Sequence, residues 1–154
     1  MHICRLGLWF GFVLAVAGCG SQSDSAYTEY DEAEMQAAIA QAKSSVNQFI
    51  DTLHSGNGEN FSVKVAIEDG DEVEHMWLSN VKYADGKFTG TIDNAPDMIS
   101  NVQMGQQWTV PKNEISDWMF IRDRKMHGNF TIRPLLKTFP EDEAAQFRAI
   151  LAEP

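Results

Sequence analysis

The chain has 154 residues, 44% of them hydrophobic and 22% charged, which is room and composition for one globular domain. Its 22 acids against 12 Lys and Arg leave a net charge of −10, which excludes a nucleic-acid partner, since phosphate contacts need clustered cations. The same balance excludes a polybasic grip on anionic lipid, so any membrane attachment has to come from another device.

That device is written in the first nineteen residues. Arg5 is the only charge before an apolar, small-residue run from Leu6 to Gly18. As a helix this run reaches about 20 Å, short of the roughly 30 Å hydrocarbon core, and its length fits the core of a signal peptide. It closes on Val16-Ala17-Gly18-Cys19, which resembles the lipobox of bacterial lipoproteins. The resemblance implies that residues 1–18 are a lipoprotein signal peptide cleaved between Gly18 and Cys19. It also implies a diacylglycerol on the Cys19 thiol and acylation of the new amino terminus. Each buried CH2 contributes about 0.8 kcal/mol, so several acyl chains hold a protein on a membrane where one is marginal. A plain signal peptide cut near Ala26 and a short membrane anchor are the alternatives. Without residues 1–18 the chain keeps 11 basic and 22 acidic side chains, a net −11, and loses Cys4. Cys19 is then the single thiol, and no disulfide is available. Gly20 stands where an Asp would signal inner-membrane retention, so the expected location is a lipid anchor facing the periplasm, on the outer membrane where the source has one.

Residues 20–30 (GSQSDSAYTEY) are polar and aperiodic, and read as a flexible tether. Asp31 is a suitable N-cap, with Glu34 three residues on as in a capping box. Met35, Ala38, Ile39, Ala42, Val46, Phe49, Ile50 and Leu53 then keep one stripe of a helix that Gly56 stops. From Phe61 the period becomes two: Phe61, Val63, Val65 and Ile67 alternate with Ser62, Lys64 and Ala66. The acidic stretch 68–72 reads as a solvated turn into a strand over 73–81. Val73 and Trp77 share one face of that strand, Met76 and Leu78 the other. Asp85-Gly86 predicts a tight hairpin into a strand over 87–92. One helical turn is expected over 97–102, and strands over 107–110, 118–122 and 130–133. Pro140 opens a closing helix that buries Ala144, Phe147, Ile150 and Leu151. Residues 31–154 are thus expected to form a single α+β domain. Its architecture is a curved antiparallel sheet or partly open small barrel of about six short strands, packed by an N-terminal amphipathic helix and a short C-terminal helix.

Several blocks carry a family resemblance. They are Glu74-His75-Met76-Trp77-Leu78, then Gly90, Asn94 and Pro96, then residues 105–110, Ile115-Ser116-Asp117-Trp118-Met119, and residues 128–133. Together, over about residues 35–136, they are similar to a bacterial family catalogued as domain of unknown function 2314. The resemblance implies one compact α+β domain and brings no activity, substrate or catalytic residue.

The candidate polar site consists of Glu74, His75, Asn94, Asp117 and Arg133. Glu74 and His75 are strand neighbours, so their side chains diverge and form no local acid–base pair. His75, two residues from Trp77, is expected on a mostly packed face, His127 in a solvated loop, and His54 at a helix end. Arg133 can reach Asp117 or Glu74 in a bidentate contact if the strands converge, with a register-fixing ion pair as the bland outcome. Trp77, Trp108 and Trp118 suit stacking on a sugar or peptide, or the core. No zinc-ligand spacing, H-E-x-x-H, EF-hand or G-x-S-x-G element is present, so no metal, cofactor or catalytic residue is assigned.

These readings converge on a membrane-anchored envelope lipoprotein whose domain binds an envelope protein or cell-wall partner without catalysis. A hydrolase using Asp117, Glu74 or His75 as acid or base is the enzymatic alternative. An acidic immunity-type protein that neutralises a basic toxin is the third.

Overall fold

The computed structural model describes residues 30–153; the signal peptide, Gly18, Cys19 and residues 20–29 lie outside them. Helix α1 runs Glu32–Ser55. Its start follows from Asp31, whose Oδ1 accepts the Glu34 N–H at 3.1 Å. Glu34 does not complete the capping box, because its carboxylate pairs with Lys137 instead. Gly56 ends the helix at φ 65°.

Six strands follow: β1 (Glu59–Asp69), β2 (Glu72–Ala84), β3 (Lys87–Ile92), β4 (Gln107–Pro111), β5 (Ile115–Arg122) and β6 (Lys125–Gly128). They form one antiparallel sheet in the order β4-β3-β2-β1-β5-β6, with β4 and β6 as open ends, so the barrel does not close. Asp85 and Gly86, both at positive φ, make the expected β2–β3 hairpin. Two short helices close the chain, α2 (Ile132–Leu135) and α3 (Glu141–Ile150).

The alternation read in β1 and β2 is the one observed. Val63, Val65, Ile67, Met76 and Leu78 are buried on the face that α1 covers. Phe49 of α1 fills the centre, with its ring 5.4 Å from Trp118 and 5.8 Å from both Phe61 and Phe88. The Trp118 indole N–H donates to the Ala42 carbonyl at 2.9 Å, which satisfies a buried donor and fixes β5 to α1.

Three sequence expectations need correction. Residues 97–102 form bends, not a helical turn, because their backbone N–H groups bond to side chains of β1 and β2 rather than to one another. Residues 130–133 are not a strand: β6 comes earlier, and Phe130 and Thr131 leave the sheet into α2. Gly128 makes that exit at φ 77°, where a Cβ would overlap the Trp118 carbonyl and indole. Ile150 is 42% exposed instead of buried, while Ala144 and Leu151 pack with Leu136 in a separate small cluster. Among the described residues no helix is long and apolar enough to cross a membrane.

Candidate functional site

The face of the sheet away from Phe49 carries Lys64, His75, Trp77 and Asp117. Register puts Lys64 between Trp77 on β2 and Asp117 on β5. The β1–β5 pairing slips between Lys64 and Val65, leaving Ser116 as the extra residue. This side is not packed as expected: His75 is exposed and Trp77 half-buried.

Asp117 is fully buried. Its Oδ1 accepts the Trp118 and Phe130 N–H groups at 2.8 and 3.1 Å, and its Oδ2 accepts the Thr131 N–H and hydroxyl at 2.8 and 2.7 Å. Burial pushes this carboxyl above its ordinary value, although all four donors pull it down. Four donors saturate one carboxylate, so Asp117 clamps residues 130–131 to β5.

Glu74 does the same for a second segment. Its carboxylate accepts the backbone N–H groups of Asp97, Met98 and Ile99 at 2.9–3.3 Å. Burial alone would raise this group, yet the three donors together hold it below the usual carboxylate range. Asn94 Oδ1 accepts the Trp77 N–H at 3.0 Å and its Nδ2 faces the Met76 sulfur, so it ties the same segment to β2. Asp69 adds a contact that the reading of 68–72 as a solvated turn missed: its Oδ2 accepts the N–H and hydroxyl of Ser100.

Arg133 forms neither of the ion pairs considered for it. It sits on α2, with Nη2 donating to the Ala152 carbonyl at 2.8 Å and Nε buried without a partner among the described residues. Asp117 and Glu74 had already filled their oxygens with nearby N–H donors. His127 is likewise no loop residue: it lies in β6 with its ring stacked 4.9 Å from Phe120.

A cleft of about 410 Å³ opens between the first turns of α1 and the β1–β2–β5 face. Met35 and Ile39 form its helical wall, Val73, Met98 and Leu135 add apolar surface, and Lys64, His75, Ser116 and Thr131 bring polar groups. Sequence reasoning overlooked Lys64 and Thr131, because Lys64 occupies an ordinary polar position in an alternating strand and Thr131 lay in a misassigned segment. Lys64 Nζ donates to Thr131 Oγ1 at 3.2 Å and lies 5.6 Å from the Trp77 ring centroid. Burial lowers its affinity for the proton, partly offset by Asp117.

His75 Nδ1 is 3.0 Å from Ser116 Oγ, which is 3.3 Å from the Lys64 carbonyl. Both contacts are satisfied when Nδ1–H donates to Oγ and the hydroxyl donates to the carbonyl. That proton placement is opposite to the one that activates a serine nucleophile. Burial, then the Lys64 charge, hold His75 below its ordinary value. Among the described residues no group of His, Cys, Asp and Glu is arranged to hold a metal.

The site therefore contains five sequence-selected residues in three separate places. His75 lines the cleft; Glu74, also at its edge, and Asn94 secure the 93–106 segment; Asp117 and Arg133 fasten the chain after β6.

Comparison with known proteins places this arrangement in a family. A family model described as an uncharacterized protein conserved in bacteria, DUF2314, matches residues 32–152. The uncharacterized protein YegJ of Escherichia coli is 41% identical over 136 residues, 88% of this chain and 89% of its own length. A putative ankyrin repeat protein of Neisseria meningitidis is 37% identical over 83 residues, 53% of this chain and 32% of its own. No solved structure gives a significant match. With the family match running from the first turn of α1 to the end of the fold, the chain belongs to the bacterial DUF2314 family.

Proposed function

We propose that this protein is a membrane-anchored envelope lipoprotein whose domain binds a protein or cell-wall partner in the cleft between α1 and the sheet. The observation that carries the binding reading is the use made of the acids. The oxygens of Asp117 and Glu74 accept donors of the protein's own fold, while the cleft joins an apolar wall to a few polar groups. General acid–base catalysis needs a group within reach of a substrate proton and free to exchange it. Asp117 is buried beyond reach, and Glu74, at the cleft edge, is held by three backbone donors. An apolar cleft with few convergent polar groups suits recognition. The Neisseria relative is named for ankyrin repeats, an architecture that builds binding surfaces, which favours an interaction role for the domain it shares. On this reading Cys19 carries the lipid, residues 1–18 are removed, and the stretch up to residue 30 holds the domain off the bilayer.

Two measurements test it. A photo-reactive residue at Val73, on the cleft, should give discrete adducts in intact cells, and one at Thr109, on β4, should not. Equal adducts from both positions, or none from Val73, would sink the binding reading. Mass spectrometry should find the acyl mass on the mature wild-type chain and not on Cys19→Ser; identical lipid mass in both would remove the anchor.

A further inference from the structure

The cleft contains a cation whose hydrogen-bonding capacity the fold leaves partly unused. Lys64 spends one N–H on Thr131 Oγ1, and that hydroxyl gives its own proton to Asp117. No carboxylate lies within salt-bridge distance of Lys64 among the described residues, where the ion pairs are Lys137–Glu34 and Arg148–Glu141. The two acids that line the cleft are both engaged, Glu74 with backbone N–H groups and Glu32 with the Gln36 amide at 2.8 Å. In a chain of net charge −10 the half-buried Lys64 ammonium thus makes no direct ion pair. Asp117, the carboxylate that acts on it, is reached through Thr131 and is saturated by other donors. The free N–H groups of Lys64 stand beside His75 and an apolar wall. Desolvating a charge that has no direct ion pair costs stability, and an anion brought by a ligand lowers that cost.

We propose that the cleft receives the free C-terminal carboxylate of a peptide whose last side chain is apolar. The carboxylate sits on the Lys64 ammonium, which lies 5.6 Å from the Trp77 ring centroid, the His75 Nε2 accepts a peptide N–H, and the terminal side chain packs on Met35, Ile39 and Leu135. This rests on the binding reading above and names the chemistry that is bound. A monoanion fits better than a phosphate, because the cleft has a single lysine and the net negative field resists a second charge. A peptide fits better than an acyl chain, because Tyr30, Gln36 and the His75 Nε2 intersperse hydrogen-bonding groups along the walls. An alkyl chain would dehydrate those groups without replacing their partners, whereas peptide amides pair with them.

The test uses the mature lipidated chain in detergent, labelled with 5-fluorotryptophan, with the Trp77 resonance assigned through Trp77→Phe. The probes are N-acetyl-Ala-Leu with a free carboxylate, its C-terminal amide, and decanoate. The acid should shift the Trp77 resonance saturably and bind about tenfold tighter than the amide, the weight of one charge-assisted hydrogen bond. Lys64→Gln should erase that preference. If this variant misfolds, as judged by the core Trp118 resonance, Lys64→Met keeps the aliphatic stem and should act the same way. Equal affinity for acid and amide, tighter binding of decanoate, a preference that survives loss of Lys64, or no shift with any probe overturns the carboxylate proposal. Adducts from Val73 in cells would still stand in each of those cases, so failure here is distinct from failure of the binding reading.

Discussion

Asp117 sits where water does not reach, and four donors point at its two oxygens. An amide in its place keeps one oxygen and turns an NH2 group toward two of those donors. Asp117→Asn should therefore lower stability by about 3 kcal/mol, from lost charge-assisted bonds and donors left unpaired in the interior. Urea unfolding measures this directly; a loss below about 1 kcal/mol would mean that the carboxylate is dispensable. A catalytic acid would behave in the opposite way, since removing a strained functional group usually leaves stability intact or raises it. Lys64 and His75 differ from Asp117 in this respect. Each makes one side-chain hydrogen bond; Lys64 keeps N–H donors and His75 keeps its Nε2 acceptor facing the cleft, so they are available to something outside the fold.

At the scale of elements, residues 93–106 have little regular structure and are held from below by side chains of β1 and β2. Glu74 takes the N–H groups of Asp97, Met98 and Ile99, Asp69 takes Ser100, and Asn101 donates to the Glu68 carbonyl. Backbone donors in a stretch without its own ladder must find acceptors elsewhere, and carboxylates are strong ones. Asp69, through its bonds to Ser100, and Glu74, through its backbone donors, are both held below their ordinary values. A lowered carboxyl stabilises the fold above its unfolded pKa, and that support is lost as pH falls through the lower folded value. The segment should consequently stay docked at neutral pH and loosen only in acid, below the ordinary carboxylate values of 4.5 for Glu74 and 3.8 for Asp69. Amide proton shifts in an NMR pH titration report it: Met98 and Ser100 should both titrate below those values. Glu74→Gln should abolish the response at Met98 and leave Ser100 unchanged. Titration of Met98 at an ordinary carboxylate pKa, or its persistence in Glu74→Gln, would contradict the assignment.

At the scale of the whole fold, the buried apolar side chains of the described residues divide into two clusters. The larger lies between α1 and the sheet around Phe49, and the smaller gathers Leu136, Ala144 and Leu151 under α3. The second is tied to the sheet by the Ala152 N–H on the Met126 carbonyl, the parallel bridge of Met126 with Leu151, and the Arg133 contact to the Ala152 carbonyl. A small cluster supports a lower free energy of opening than a large one. Amides of α3 should exchange with solvent before those of β1. Phe49→Ala should cost about 3–5 kcal/mol and accelerate exchange in β1. Equal protection of α3 and β1 would show one cooperative unit instead.

Local patterning alone was enough to determine much of this protein. The period of α1 and its Asp31 and Gly56 limits, the alternation in β1 and β2, and the Asp85-Gly86 hairpin all depend on neighbours within a few residues, and all are found. The α+β class and the six-strand count follow from them, although local pattern puts the last strand at 130–133, five residues beyond where β6 starts. What tertiary structure decided lies in contacts between residues far apart in sequence. Whether Arg133 met Asp117 depended on where the chain left β5 and β6, and Gly128 set that exit against Trp118. Whether Glu74 was reactive depended on a segment more than twenty residues away that brought its N–H groups to it. Lys64 looked like any polar residue on an alternating strand until register set it between Trp77 and Asp117. Hydrophobic period is a property of the local chain, but the partner of a polar group is chosen by long-range register, and here that choice separates the side chains that hold the fold from those that face the cleft.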